Sequence, residues 1–157
     1  MNTYYPKKGD LKEQWFEVNA ENQILGRLAS RIAAVLRGKT SPRFTPHANM
    51  QTHVIVVNAG KIRMTGRKLD DKTYYRHTGW IGGLRKTSPR KLLAEKPTEV
   101  LRKAVKGMLP HNRLGNATMK RLRLFAGPTH RHSAQQPIPL VVTKPAKAIA
   151  KSEEKDK

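Results

Sequence analysis

The 157-residue sequence contains no cysteine, which excludes disulfide bonds and thiolate metal sites. It also lacks any stretch close to the about 20 apolar residues that a membrane-spanning helix requires. The N-terminal residues do not contain the apolar run of a signal peptide. We therefore expect a soluble, cytoplasmic protein that has no membrane partner.

Acidic residues are scarce. The sequence has 11 of them against 32 lysines and arginines, and its net charge is +21. Self-repulsion on this scale is unfavourable for a compact monomer, but it is relieved when a polyanion neutralises the charge. The excess is concentrated in residues 61–128, which carry 18 basic and 4 acidic side chains. We expect this middle segment to contact the polyanion. The chain length indicates one domain, or one domain with a tail.

Groups that could perform catalysis are missing as well. Asp70 and Asp71 are the only adjacent acids before the C-terminal tail, and they lie in a polar segment where nothing would raise a carboxyl pKa. Residues 38–40 (Gly-Lys-Thr) resemble the end of a phosphate-binding loop, but Ala33 replaces the required glycine and the helix comes first. We predict that the chain is not an enzyme and has no small-molecule substrate and no cofactor.

The histidines do not form a convincing metal site. His130 and His132 are the only close pair among the six, and Arg131 between them is a poor neighbour for a cation. Without cysteines or a nearby carboxylate, we predict no metal. Histidines in a basic segment more often stack on nucleic acid or form hydrogen bonds with it.

Hydrophobic patterning predicts an α/β domain. Residues 15–19 are typical of a strand, and apolar residues four apart predict a helix over residues 25–37, with Asn22 as N-cap and Gly38 as the stop. Residues 53–58 contain an unbroken apolar run at 54–57, which favours a strand covered on both faces, as in a parallel sheet. Strand, helix and strand together predict a βαβ unit.

The remaining predicted elements follow in chain order. They are a strand over 61–65, helices over 89–95 and 97–108, a turn at 114–116, a short helix from Ala117 and a strand over 122–127. In the helix over 97–108, five residues are predicted to face inward: Val100, Leu101, Ala104, Val105 and Met108. We divide the chain into an N-terminal arm (1–13), an α/β domain (14–140) and a low-complexity, flexible tail (141–157).

Residues 72–90 interleave cations with aromatic rings and three glycines, and they contain no acid. This mixture suits a nucleic acid whose bases are partly exposed, because cations hold phosphates and rings stack on exposed bases. A solvated basic loop with Trp80 in the core is the alternative. A second block begins where Lys106 and Gly107 end a helix before a proline turn. This block either contacts a phosphate backbone or is an ordinary helix end with solvated charges.

Ten short motifs follow one another along the chain in the order of a known family. They are residues 25–29 (LGRLA), 36–39 (LRGK), 44–47 (FTPH), 57–59 (VNA), 65–68 (TGRK), 74–79 (YYRHTG), 82–83 (GG), 105–110 (VKGMLP), 126–127 (AG) and 130–137 (HRHSAQQP). With them the chain resembles the bacterial form of the universal large-subunit ribosomal protein thirteen family, over roughly residues 14–140. Phe44 stands where that family leads us to expect tyrosine, and residues 141–157 extend past its usual end.

The resemblance implies a three-layer α/β/α fold with a small, mainly parallel four-stranded sheet, plus basic loops and an extended C-terminal tail. It implies a structural constituent of the large ribosomal subunit that supports early assembly. The implied partners are large-subunit (23S-type) ribosomal RNA and neighbouring ribosomal proteins. An α/β enzyme acting on RNA and a free-standing regulator of translation are the competing classes.

The predicted RNA contacts fall into three groups. Cations expected to bind phosphate are Arg27, Arg37, Lys39, Arg43, Lys68, Lys72, Arg76, Lys106, Arg113, Lys120, Arg121, Arg123 and Arg131. Side chains expected to stack on bases or sugars are His47, Tyr74, His77 and Trp80. Gly107 is expected to permit close approach, and His130 and His132 are expected to contact RNA beside Arg131.

Overall fold

A computed structural model describes residues 5–7 and 10–140 of the chain. The predicted tail at 141–157 lies outside the described residues. The strands are β1 (Gln14–Asn19), β2 (Thr52–Val57), β3 (Tyr74–His77), β4 (Leu84–Thr87), β5 (Leu122–Leu124) and β6 (Ile138–Pro139). The helices are α1 (Leu25–Arg37), α2 (Lys68–Asp71), α3 (Pro89–Glu95), α4 (Pro97–Met108) and α5 (Arg113–Met119), with 3₁₀ turns at Ala59–Lys61 and Ser133–Gln135.

Four strands form one parallel sheet in the order β5-β2-β1-β6. Trp15 pairs with His53, and Phe16 pairs with Ile138 on the other side of β1. Five of the six residues of β2 are buried, as the unbroken apolar run predicted. The predicted α/β class and the mainly parallel four-stranded sheet are confirmed.

One face of the sheet carries the helices. Leu28 and Ile32 of α1 and Leu101 of α4 are fully buried in one cluster with Val54 of β2. Burying such a side chain stabilises the fold by about 1.5–3 kcal/mol. The predicted α1 is confirmed from its first to its last residue, and Gly38 ends it with a positive φ of 80°.

The opposite face of the sheet is covered by the chain that follows β5. Trp15 of β1 stacks on His53 of β2, with ring centroids 4.1 Å apart and an interplanar angle of 13°. His132 lies against Trp15 at 5.5 Å and against Phe125 at 5.9 Å. The segment at 125–137, with its 3₁₀ turn, therefore forms the layer on this side.

The predicted strand over 61–65 is wrong. Asn58 has a left-handed backbone (φ 56°), and the 3₁₀ turn at Ala59–Lys61 leads the chain away from the sheet. Arg63 then forms only an isolated parallel bridge with Ile24. The fourth strand is β6, in a segment where the sequence shows no periodicity.

Two predicted helix boundaries are also wrong. Asn22 does not cap α1, because the N-cap is Ile24, which makes no side-chain cap hydrogen bond. The predicted turn at 114–116 lies inside α5, because Asn112 caps that helix by accepting a hydrogen bond from the Gly115 N–H at 2.8 Å. Helix α3 has a side-chain cap, since the Ser88 hydroxyl accepts a hydrogen bond from the Lys91 N–H.

Helix α4 matches its predicted limits but not every predicted inward residue. Val100, Leu101 and Val105 are buried, whereas Met108 is 47% exposed. Met108 is the last residue of α4, where the helix has passed the edge of the core. None of the helices in the described part of the chain is long and apolar enough to cross a membrane.

Candidate nucleic-acid interface

Residues 72–90, predicted as a basic loop, contain a two-stranded antiparallel hairpin formed by β3 and β4. Arg76 pairs directly with Arg85, and Tyr75 pairs with Lys86. Like charges directly opposite each other destabilise a hairpin. The free protein therefore gains nothing from the arginine pair, which becomes favourable when an anion lies between or above the two guanidinium groups.

The tip of the hairpin is apolar and exposed. Trp80 is 81% exposed and Ile81 is fully exposed, in a turn where Gly79 and Gly82 have positive φ angles. The alternative that placed Trp80 in the core is therefore wrong. An exposed indole ring is available to stack on a nucleic-acid base.

Three lysines gather between the start of α1, α2 and the end of α4. Lys68, Lys72 and Lys103 line one depression together with Gly107. The ammonium groups of Lys72 and Lys103 lie 5.3 and 5.1 Å from the centre of the Tyr74 ring, within cation–π range. Burial raises the pKa of the Tyr74 phenol, so the ring stays neutral beside the two cations.

A second basic group lies around α5 and β5. Lys120 and Arg123 line a shallow depression with Arg102. Arg121 has a different environment, because it is half-buried and donates a hydrogen bond to the side-chain oxygen of Asn49. Burial lowers the pKa of the Arg121 guanidinium, although it stays charged at neutral pH. Arg121 thus ties the loop before β2 to the sheet.

Four carboxylates of the described residues pair with lysines or arginines outside the predicted set. The lysine and arginine ion pairs are Lys61–Glu21, Arg90–Asp70, Lys91–Glu95 and Arg102–Glu99. Within residues 5–7 and 10–140, none of the lysines and arginines predicted to bind phosphate forms an ion pair with a carboxylate. Their charges are left available for an external anion.

The structure places the predicted side chains at different depths. The exposed ones are Arg27, Lys39, Arg43, His47, Lys68, Lys72, Arg76, His77, Trp80, Lys106, Gly107, Arg113, Lys120, Arg123 and Arg131. The half-buried ones are Arg37, Tyr74, Arg121, His130 and His132. The RNA-binding role of each of these residues stays a prediction.

The half-buried His130 and His132 contact other side chains of the same chain. His130 Nε2 lies 3.5 Å from the Glu17 carboxylate, and His132 packs against Trp15 and Phe125. No group of three or more histidine and carboxylate side chains that could hold a metal occurs in the part of the chain that the structure describes.

Arg85, Lys86 and Lys103 lie near these groups and are not among the predicted contacts. Arg85 and Lys86 become informative only through their pairing with β3, which the sequence does not reveal. Lys103 lies four residues before Gly107 on α4, so helical spacing alone could have placed it on the same face.

Comparison with known proteins gives a consistent result. The family described as Ribosomal protein L13 matches residues 13–131. The large ribosomal subunit protein uL13 of Desulfovibrio desulfuricans is 54% identical over 142 residues, which cover 90% of this chain and 99% of the relative. The uL13 protein of Mycoplasmopsis synoviae is 53% identical over 135 residues, which cover 86% of this chain and 94% of the relative.

Proposed function

This chain belongs to the ribosomal protein L13 family, and on that premise we propose that it is a structural constituent of the large ribosomal subunit. It binds large-subunit ribosomal RNA through its basic surface, contacts neighbouring ribosomal proteins and supports early assembly. The family is one of structural proteins, so the chain is not an enzyme, and its place is in the ribosome, in the cytoplasm.

The separation of paired and unpaired cations carries the proposal. Four acids of the described residues pair with lysines or arginines such as Lys61 and Arg90, while Arg76 and Lys106 have no carboxylate partner within that part of the chain. Each unpaired cation that contacts a phosphate releases counterions, which makes binding strong and dependent on salt. The arrangement suits a phosphate backbone better than a small ligand.

The first test separates a ribosomal constituent from a free-standing regulator of translation. The tagged full-length chain is expected to sediment with large subunits through a sucrose gradient and to stay bound after a high-salt wash. Recovery of the chain in the light fractions alone would contradict the proposal.

The second test addresses the contact residues. Arg76→Ala combined with Lys106→Ala is expected to weaken binding to purified large-subunit RNA and to flatten its salt dependence. The matched control is Lys61→Ala combined with Lys91→Ala, which removes the same charge from cations that already have carboxylate partners and lie outside residues 72–90. Equal effects of the two double variants would overturn the assignment.

A further inference from the structure

A cavity of about 400 Å³ lies between the start of α1, the segment at 64–72 and the end of α4. Its apolar lining residues are Ile24, Leu25, Met64, Ala104 and Met108. Lys68, Lys72 and Lys103 also line it, and no acidic residue does. An apolar surface bounded by cations matches a ligand that is both flat and apolar in one part and anionic in another.

Two helical glycines line the same cavity without a reason in the fold. Gly26 is the second residue of α1 and Gly107 is the last but one of α4, and neither has a positive φ. A Cβ atom added at either position would meet nothing within 4 Å. Glycine within a helix is less favourable than alanine by up to about 1 kcal/mol.

Gly115 in α5 provides the contrast. A Cβ atom at Gly115 would collide with the backbone carbonyl of Pro110, so packing explains that glycine. Packing and backbone geometry do not explain Gly26 and Gly107. What these two positions share is that both line the cavity.

The lysines at the cavity are held in place by an aromatic ring. Lys72 and Lys103 approach the Tyr74 ring from 5.3 and 5.1 Å, so two of the three ammonium groups are positioned before any ligand arrives. Tyr74 itself packs against the hydrophobic core and does not line the cavity. It is a positioning residue for the cations.

We infer that this cavity binds one unpaired nucleotide of large-subunit ribosomal RNA, an inference that rests on the proposed function. The base lies against the apolar lining, and Lys68, Lys72 and Lys103 hold the adjoining phosphates. Unstacked bases are the parts of RNA that proteins bind in this way. The cavity volume is within the range of sites that take small organic groups. The three lysines favour a nucleotide over a protein side chain as the occupant.

The main experiment measures the affinity of Gly26→Ala and Gly107→Ala variants of the full chain for purified large-subunit RNA. Both glycines line the cavity, so an added methyl group is expected to take up space there and to lower affinity about tenfold, or 1.4 kcal/mol. The melting temperature is expected to stay the same or to rise by up to about 3 °C, because alanine favours the helix. Gly127→Ala, another position with open space, is the control and should change neither quantity.

The outcomes distinguish this inference from the proposed function. Unchanged affinity in both cavity variants, with a clear loss for Arg76→Ala plus Lys106→Ala, overturns the nucleotide site and leaves RNA binding intact. That result is also the one expected if the cavity takes a protein side chain. If a glycine variant does not fold, Lys103→Gln tests the same site, with the same tenfold loss expected.

A second experiment tests the base. Adenosine 5′-monophosphate and ribose 5-phosphate are titrated separately into isotopically labelled full-length chain, and the amide resonances of Gly26 and Gly107 are followed. The nucleotide is expected to shift these resonances at a several-fold lower concentration than the sugar phosphate. Equal midpoints, or no shift at either glycine, would overturn the placement of the base.

Discussion

The helix-covered face of the sheet buries Leu28, Ile32 and Val54 completely, whereas the β3–β4 hairpin leaves Trp80 81% exposed and sets Arg76 opposite Arg85. In the first region, each residue type is the one that folding favours. In the second region, an exposed ring and opposed like charges are unfavourable in isolation. A bound partner would compensate for both features of the hairpin. Its cations and exposed ring are the residue types that suit RNA.

The largest effect is expected in the core. Leu28→Ala removes a fully buried side chain between α1 and the sheet and should lower the free energy of unfolding by about 2–5 kcal/mol. Urea denaturation measures this loss. The RNA affinity of the fraction that remains folded should not change. A loss of affinity as large as the loss of stability would contradict the distinction between a core that sets stability and a hairpin that binds RNA.

A smaller effect is expected at the hairpin tip, where a substitution should lower RNA affinity and leave stability unchanged. Trp80→Ala should weaken RNA binding by about 1–3 kcal/mol, the range for one base stacked on an aromatic ring. Stability should stay within about 0.5 kcal/mol, because the ring is exposed. Trp80→Phe keeps a ring and should retain most of the affinity. Equal losses for both variants would argue against stacking.

The smallest effect concerns His53, on the second face of the sheet. Burial lowers the pKa of His53, with the nearby charge of Arg121 acting in the same direction and Glu13 opposing. Because the folded state disfavours the proton, stability is full above the ordinary pKa of 6.5 and falls as pH drops below it. His53→Phe keeps the stack on Trp15 and should lose less stability than the unmodified chain as pH is lowered through that value. Identical stability profiles against pH for the two chains would exclude His53 as the cause of the loss of stability at low pH.

The predictable parts of the fold are those fixed by local pattern. Helix α1 has apolar residues four apart and a glycine stop, and strand β2 contains four consecutive apolar residues, so the observed limits of both are close to the predicted ones. Strand β6 is not predictable in this way, because Ile138 and Pro139 have no pattern of their own and pair with β1 from far along the chain.

For the candidate site, the sequence predicts which residue types are present but not how they are arranged in space. The sequence shows that residues 72–90 are basic, aromatic and rich in glycine, but not that the chain reverses so that Arg76 meets Arg85. In the same way, Gly107 stands beside a predicted helix end, whereas its proximity to Gly26 depends on how α1 and α4 pack. Contacts between distant segments are set by the tertiary structure, which local spacing does not reveal.

The most direct test of the hairpin's role is the salt dependence of RNA binding by the Arg76→Ala plus Arg85→Ala variant. If both arginines contact phosphates, the plot of log affinity against log salt concentration should become shallower by about 1.5. The melting temperature should not fall, because removing two opposed charges relieves repulsion. An unchanged slope, or a drop of several degrees in melting temperature with affinity retained, would contradict the account.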